Sequence, residues 1–191
     1  VNAAKGFATV EIKIPISVEE QKYKSEKLIS ESASTQTKIF AGRSAHSSTP
    51  HLGESAAIKL FDFLEQLPDQ VVIVDIDAGT RVNMIPNQAM VELDLTAQVR
   101  ETTIQKINHL YKALKRVQEQ MKSIVDQNFE PIHSTLSVGI IRTHEDHIFI
   151  GGSCRILPTV QQESYESWMS LIGVACKEVG AEFVLQDYKR P

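Results

Sequence analysis

The chain has 191 residues, enough to bury a full core without disulfides or metal staples. Hydrophobic residues make up 42% and charged residues 23%, the balance of an ordinary soluble globular fold. The net charge of −4 offers no basic surface for nucleic acid or an acidic membrane, and no apolar run approaches the ~20 residues of a bilayer-crossing helix.

The N-terminus, VNAAKGFATVEIKIP, lacks the charged and long apolar regions of a signal peptide. It also lacks an initiator Met, so the expectation is a single domain, residues 1–191, taken from inside a longer enzyme. Phe7 to Ile16 alternates, with Ala8, Val10, Ile12 and Ile14 on one parity, which predicts a half-buried strand. Residues 17–36 are rich in Ser, Glu and Lys and read as a polar loop or a hairpin extension. Thr37 to Gly42 is a short strand candidate.

Gly53 to Leu67 carries Ala56, Ala57, Leu60, Phe61 and Leu64 at helical spacing. Pro68 and Asp69 stop that helix, and the β-branched run Val71 to Ile76 makes a strand. After the irregular AGTRVNMIPNQ, Ala89 to Leu95 alternates again. The longest helical pattern runs from Thr102 to Val125, with Ile104, Ile107, Leu110, Tyr111, Leu114, Val117 and Met121 on one face and Thr102 or Thr103 as its N-cap. Leu136 to Arg142 and Ile148 to Leu157 are strands around the polar turn THEDH. A helix from Glu163 to Val179, ended by Gly180, leads into a last strand from Ala181 to Tyr188.

The order β-β-α-β-β-α-β-β-α-β predicts an α+β fold. Its kernel is a ferredoxin-like β-α-β-β-α-β sheet with helices on one face, enlarged by inserted strands and a helix. The two cysteines, Cys154 and Cys176, have no C-x-x-C spacing. They read as buried small hydrophobes in a reducing compartment, so the expected location is cytoplasmic.

Three clusters could carry chemistry. In Gly42-Arg43-Ser44-Ala45-His46-Ser47-Ser48-Thr49-Pro50, a His sits among small hydroxyl residues before a helix. That pattern suits a Ser–His nucleophile pair and equally a Ser/Thr-rich loop capping the helix. In Gly79-Thr80-Arg81-Val82-Asn83-Met84-Ile85-Pro86, Asn83 either points an amide into a cleft or serves as a turn residue. In Gly151-Gly152-Ser153-Cys154-Arg155-Ile156-Leu157-Pro158, Arg155 offers a planar fork suited to a carboxylate or to a surface ion pair. His144 and His147 in the turn are too few for a metal site, and no H-x-D or H-E-x-x-H constellation is present.

Taken together and in this order, G-x-x-A-H-S-S-x-P-x-x-G-x-x-A-A, G-x-x-x-N-x-I-P and R-x-x-P resemble the dimerisation, or lid, domain of a zinc hydrolase family. That family includes aminoacylase, acetylornithine deacetylase, succinyl-diaminopimelate desuccinylase, carboxypeptidase G and related dipeptidases. Lys5-Gly6-Phe7 and Tyr188-Lys189-Arg190-Pro191 resemble the segments that join such a lid to its catalytic domain.

The resemblance implies two zinc ions held by a catalytic domain outside this chain, a homodimer, and a peptide or N-acyl amino acid substrate. It assigns His46 to stabilising the developing oxyanion from the partner subunit. Asn83 and Arg155 would bind substrate, with Arg100 competing for the place of Arg155. By itself the domain would be inactive. A free-standing ferredoxin-like binding or oligomerisation module is the alternative. An RNA platform is disfavoured by the negative charge and the few strand aromatics.

Overall fold

The computed structural model describes residues 4–29 and 35–189. Seven strands form one antiparallel sheet: β1 (Gly6–Pro15), β2 (Thr35–Ala41), β3 (Val72–Ala78), β4 (Gln88–Asp94), β5 (Thr135–Thr143), β6 (His147–Ile156) and β7 (Glu182–Lys189). They lie in the order β2-β4-β3-β5-β6-β1-β7. The helices are α1 (Val18–Ile29), α2 (Ala56–Leu64), α3 (Thr103–Lys122) and α4 (Gln162–Glu178). The fold is α+β, as the alternation of elements predicts. Among the described residues no helix is long and apolar enough to cross a membrane.

Period-two patterning sets the sheet's buried face. Ala8, Val10, Ile12 and Ile14 of β1 join Ala89, Val91 and Leu93 of β4 and Ile148, Ile150 and Cys154 of β6 in one core. Against them pack Phe61 and Leu64 of α2, Leu110 and Leu114 of α3, and Trp168 and Ile172 of α4. Both cysteines are buried free thiols, and burial pushes Cys154 up to about 12 and Cys176 to about 11, so both stay protonated and unreactive.

The polar stretch departs from expectation. Residues 18–29 form α1, not a loop or hairpin. Residues 30–34 of that stretch, with Arg190 and Pro191, lie outside the described residues. The local reason is a helix start: Ser17 Oγ accepts the N–H of Glu20 at 3.1 Å, and Glu, Gln and Lys follow, all good helix formers.

Tyr23 of α1 packs against a small second cluster, Val72, Ala97 and Val99, and donates to Asp94 at 2.9 Å. Val72 and Asp94 pair across β3 and β4, out of step with the core positions Ile73 and Leu93. This helix therefore lies on the sheet face opposite α2, α3 and α4. Its Glu20 caps α3: Oε2 accepts the Thr103 N–H at 2.8 Å and the Thr103 hydroxyl at 2.7 Å. Thr102 occupies the N-cap position but makes no cap bond, because its hydroxyl donates to the carbonyl of Asp69.

The sheet order also shows how the enlargement is built. In a ferredoxin-like unit the strand after the second helix returns beside the first strand. Here β5, which follows α3, lies beside β3 instead. The sheet then continues outward through β6, β1 and β7.

Candidate functional site

β3 and β5 pair only at Asp77–Arg142 and Ala78–Ile141. Beyond that point they part, and the opening beside the N-terminal half of β5 is filled by the two loops that carry the first two sequence clusters. Residues 45–47 run antiparallel to residues 83–85: Ile85 donates to the carbonyl of Ala45 at 2.8 Å, Ser47 donates to that of Asn83 at 2.9 Å, and His46 bridges Met84.

Close backbone approach makes two glycines necessary. A Cβ on Gly139 would stand 2.3 Å from the carbonyl oxygen of Arg81 and 2.6 Å from that of Val82. A Cβ on Gly42 would meet the carbonyl of Glu54 at 2.1 Å. The motif glycine thus lets the His-bearing loop lie against the start of α2, whose N-cap is Ser55.

His46 is exposed, and its ring is oriented by its own loop. The N–H of Ser48 donates to Nδ1 at 3.2 Å, and the Ser48 hydroxyl lies 2.7 Å from the same nitrogen. A backbone N–H can only donate, so Nδ1 is an acceptor and the proton of the neutral ring sits on Nε2. The imidazole thus presents Nε2–H as a donor. Ser48 orients the ring from within its own loop, through both its backbone N–H and its hydroxyl.

Arg155 arrives from the other side. On the sheet face away from α2, α3 and α4, Arg155 pairs with Thr135 of β5 and with Phe7 of β1. The Thr135 hydroxyl donates to the carbonyl of Ser47 at 3.5 Å, which ties this row to the His46 loop. The backbones of Arg155 and His46 are therefore on the order of 10 Å apart, two inter-strand spacings. The guanidinium lies 4.6 Å from the Phe7 ring centroid, a cation–π contact. Its Nε is buried without a partner, and burial lowers its pKa below the ordinary arginine value.

The next outward-facing row, Thr9, Ser153 and Ser137, is buried too, with Ser153 Oγ unpartnered. Ser47 Oγ is also buried and unpartnered. Beside Met84, on the β3–β4 side, a cleft of about 670 Å³ is lined by Asp77, Arg81, Met84 and Met90 among others.

The three sequence-predicted residues thus separate into a joined pair and an outlier brought near by the sheet. His46 and Asn83 lie on paired loops, and Arg155 stands two spacings away. Arg100 does not belong here. It lies beyond Asp94, at the opposite end of β4, about 20 Å away by strand length.

Sequence reasoning missed Thr135 and the role of Ser48. Thr135 has no motif and is placed by strand register alone. Ser48 belongs to the quoted cluster, but its bond to Nδ1 is a matter of geometry. The histidines of the THEDH turn stack with centroids 4.6 Å apart at the far end of the β5–β6 hairpin from Arg155. Among the described residues no group of three or more His, Cys, Asp or Glu side chains could hold a metal ion.

Comparison with known proteins fits this arrangement. A family model described as the peptidase dimerisation domain matches residues 28–127. The chain belongs to the peptidase dimerisation domain family. The match covers the His46 loop, α2, the Asn83 loop and α3, so it contains the joined pair but not Arg155. No curated protein matches the chain.

Among solved structures, this dimerisation domain is similar to an aminoacylhistidine dipeptidase from Vibrio alginolyticus, with a TM-score of 0.63 at 13% identity over 98% of this chain and 45% of that one. An aminopeptidase PepT from Bacillus cereus matches with a TM-score of 0.27 at 10% identity, over 96% of this chain and 29% of that one. The domain therefore spans less than half the length of either enzyme.

Proposed function

We propose that this dimerisation domain is the lid of a longer two-zinc hydrolase that cleaves a peptide or N-acyl amide bond. In this reading it contributes His46 to the active site of the partner subunit. One observation carries the reading. His46 is exposed on a loop clamped to the Asn83 loop, with Nδ1 tied to Ser48 and Nε2–H left to donate. A donor fixed in advance is suited to meet negative charge as it develops on a substrate carbonyl oxygen, an effect worth about 3–4 kcal/mol of barrier.

Asn83 holds the substrate amide beside His46 in this proposal. Arg155 pairs with a carboxylate on the substrate, which would satisfy a guanidinium whose Nε has no partner among the described residues. The spacing supports the assignment. A span of roughly 10 Å from His46 to Arg155 is bridged by two or three extended residues at ~3.5 Å each, with side chains shortening the gap further.

The zinc ions belong to a catalytic domain outside this chain. The similar dipeptidase, named for aminoacylhistidine, supports a small peptide as the substrate class. Delivery from a partner requires a two-fold dimer, and the exposed edge strand β2 offers backbone for such an association.

Subunit mixing tests the proposal. His46→Ala in the complete enzyme is combined with a second variant whose own zinc site is disabled. Delivery in trans restores one working site per hybrid dimer, so the mixture gains activity over both parents. A mixture no more active than its parents contradicts delivery from the partner.

A further inference from the structure

The end of β1 places a second cation beside Arg155. In the β1–β6 register, Phe7 faces Arg155 and Gly6 faces Ile156. Lys5, two residues before Phe7, continues the same outward-facing parity. Its ammonium donates to the carbonyl oxygens of Pro131 at 2.6 Å and His133 at 3.0 Å, in the segment that leads into β5 and Thr135. Those two bonds fix Nζ but leave the third N–H of the ammonium uncommitted.

No carboxylate among the described residues lies within ion-pair distance of either Lys5 or Arg155. Among the described residues the acid that acts on Lys5 is Glu130, whose exposed side chain lies 3.4 Å from His51. Lys5 is partly buried, and its pKa is lowered first by that burial and further by the charge of Arg155. Two half-buried cations that raise each other's energy lie close together where the chain enters β1, one held on the carbonyls ahead of β5 and one stacked on Phe7, and a bound anion would relieve both.

We infer that Lys5 is a specificity-determining residue that shares the substrate carboxylate with Arg155, so that the site selects substrates with a free carboxylate over neutral ones. The inference rests on the reading of Arg155 as carboxylate anchor. Arg155 supplies the planar fork, and Lys5 supplies a point charge held by two backbone carbonyls. A substrate whose carboxylate is capped as an amide loses both contacts.

The test uses the complete enzyme and a matched pair of substrates, one with a free carboxylate and its amide counterpart. The readout is the acid-over-amide preference in kcat/KM. Lys5→Met lowers that preference about ten-fold, mainly through KM, and Lys5→Arg retains most of it. A Lys5→Met preference equal to the wild type overturns the inference.

Arg155→Met in the same assay separates the two readings. If Arg155→Met loses the preference and Lys5→Met keeps it, the inference fails and the anchor reading stands. If Lys5→Met alone loses it, Lys5 recognises the carboxylate and the role of Arg155 falls. Should Lys5→Met fail to fold, a crystal structure of the wild-type enzyme with its carboxylate product decides. Lys5 Nζ at about 3 Å from a carboxylate oxygen supports the inference, and a bound carboxylate out of its reach overturns it.

Discussion

The two ends of β4 treat buried polar groups in opposite ways. At the Asp94 end the groups are acceptors and most are answered within the fold. Asp94 accepts from the Tyr23 hydroxyl and from both the N–H and the hydroxyl of Thr96. Glu20 accepts twice from Thr103, with only its Oε1 left without a partner. At the Gln88 end, where the His46 and Asn83 loops meet β5, several donors are left open: Ser47 Oγ, Ser153 Oγ and Arg155 Nε are buried with no partner among the described residues. Each such group costs on the order of 1–3 kcal/mol if it stays unanswered. The proposed ligand face lies at the second end, where these donors are left open.

Four changes sharpen that contrast, and the largest belongs to neither end. Phe61→Ala opens a cavity in the core beneath α2, where the ring is 1% exposed and packs 5.0 Å from Tyr111. The expected loss of stability is about 3–5 kcal/mol, measured by urea unfolding, with KM unchanged at temperatures where the variant is folded. A fall in activity without a fall in stability would put α2 in the site.

Arg155→Ala has the next largest effect, now at the open end. Loss of a charged hydrogen-bond partner for the substrate raises KM about ten- to a hundred-fold, while the unfolding midpoint moves little. A collapse of stability instead would make Arg155 a structural residue stacked on Phe7. Ser48→Ala removes the hydroxyl beside Nδ1 but keeps the backbone N–H. About 1 kcal/mol of ring positioning is lost, seen as a roughly five-fold drop in kcat. An unchanged kcat would mean that the backbone alone orients His46.

The smallest effect is at the answered end. Burial raises the Glu20 pKa above its ordinary value of 4.5, against the pull of Thr103, Lys24 and Lys106. The folded chain therefore binds the Glu20 proton more tightly than the unfolded chain does. Stability from this group is present below the unfolded value and is lost as pH rises through the folded one. Melting temperatures of the wild type should decline across that interval relative to Glu20→Gln, which cannot titrate. Parallel curves would show that the carboxylate is solvated.

What the sequence shows follows the same division. The alternation of Ala8, Val10, Ile12 and Ile14 and the helical spacing through α3 locate the core, because burial imposes those periods. The His46 and Asn83 clusters are legible because glycine, small hydroxyls and proline are demanded by close backbone approach, as at Gly42. Helix α1 escapes a search for apolar periodicity, since it is polar along most of its length. The spacing of Ser17 and Glu20 was its visible sign. The place of β5 beside β3, and the meeting of Arg155 with Phe7 and Lys5 across the β1–β6 register, depend on pairings between strands far apart in the chain, the latter more than a hundred residues. No local pattern encodes that.

The most direct measurement is the turnover of His46→Ala in the complete enzyme, at saturating substrate, with bound zinc and melting temperature determined on the same preparation. The expected result is a loss of kcat of about a hundred- to a thousand-fold with zinc content and stability unchanged, because an oxyanion donor acts only in the transition state. Loss of zinc in that variant would make His46 a metal ligand, and an unchanged kcat would leave the domain a scaffold; either result contradicts the account.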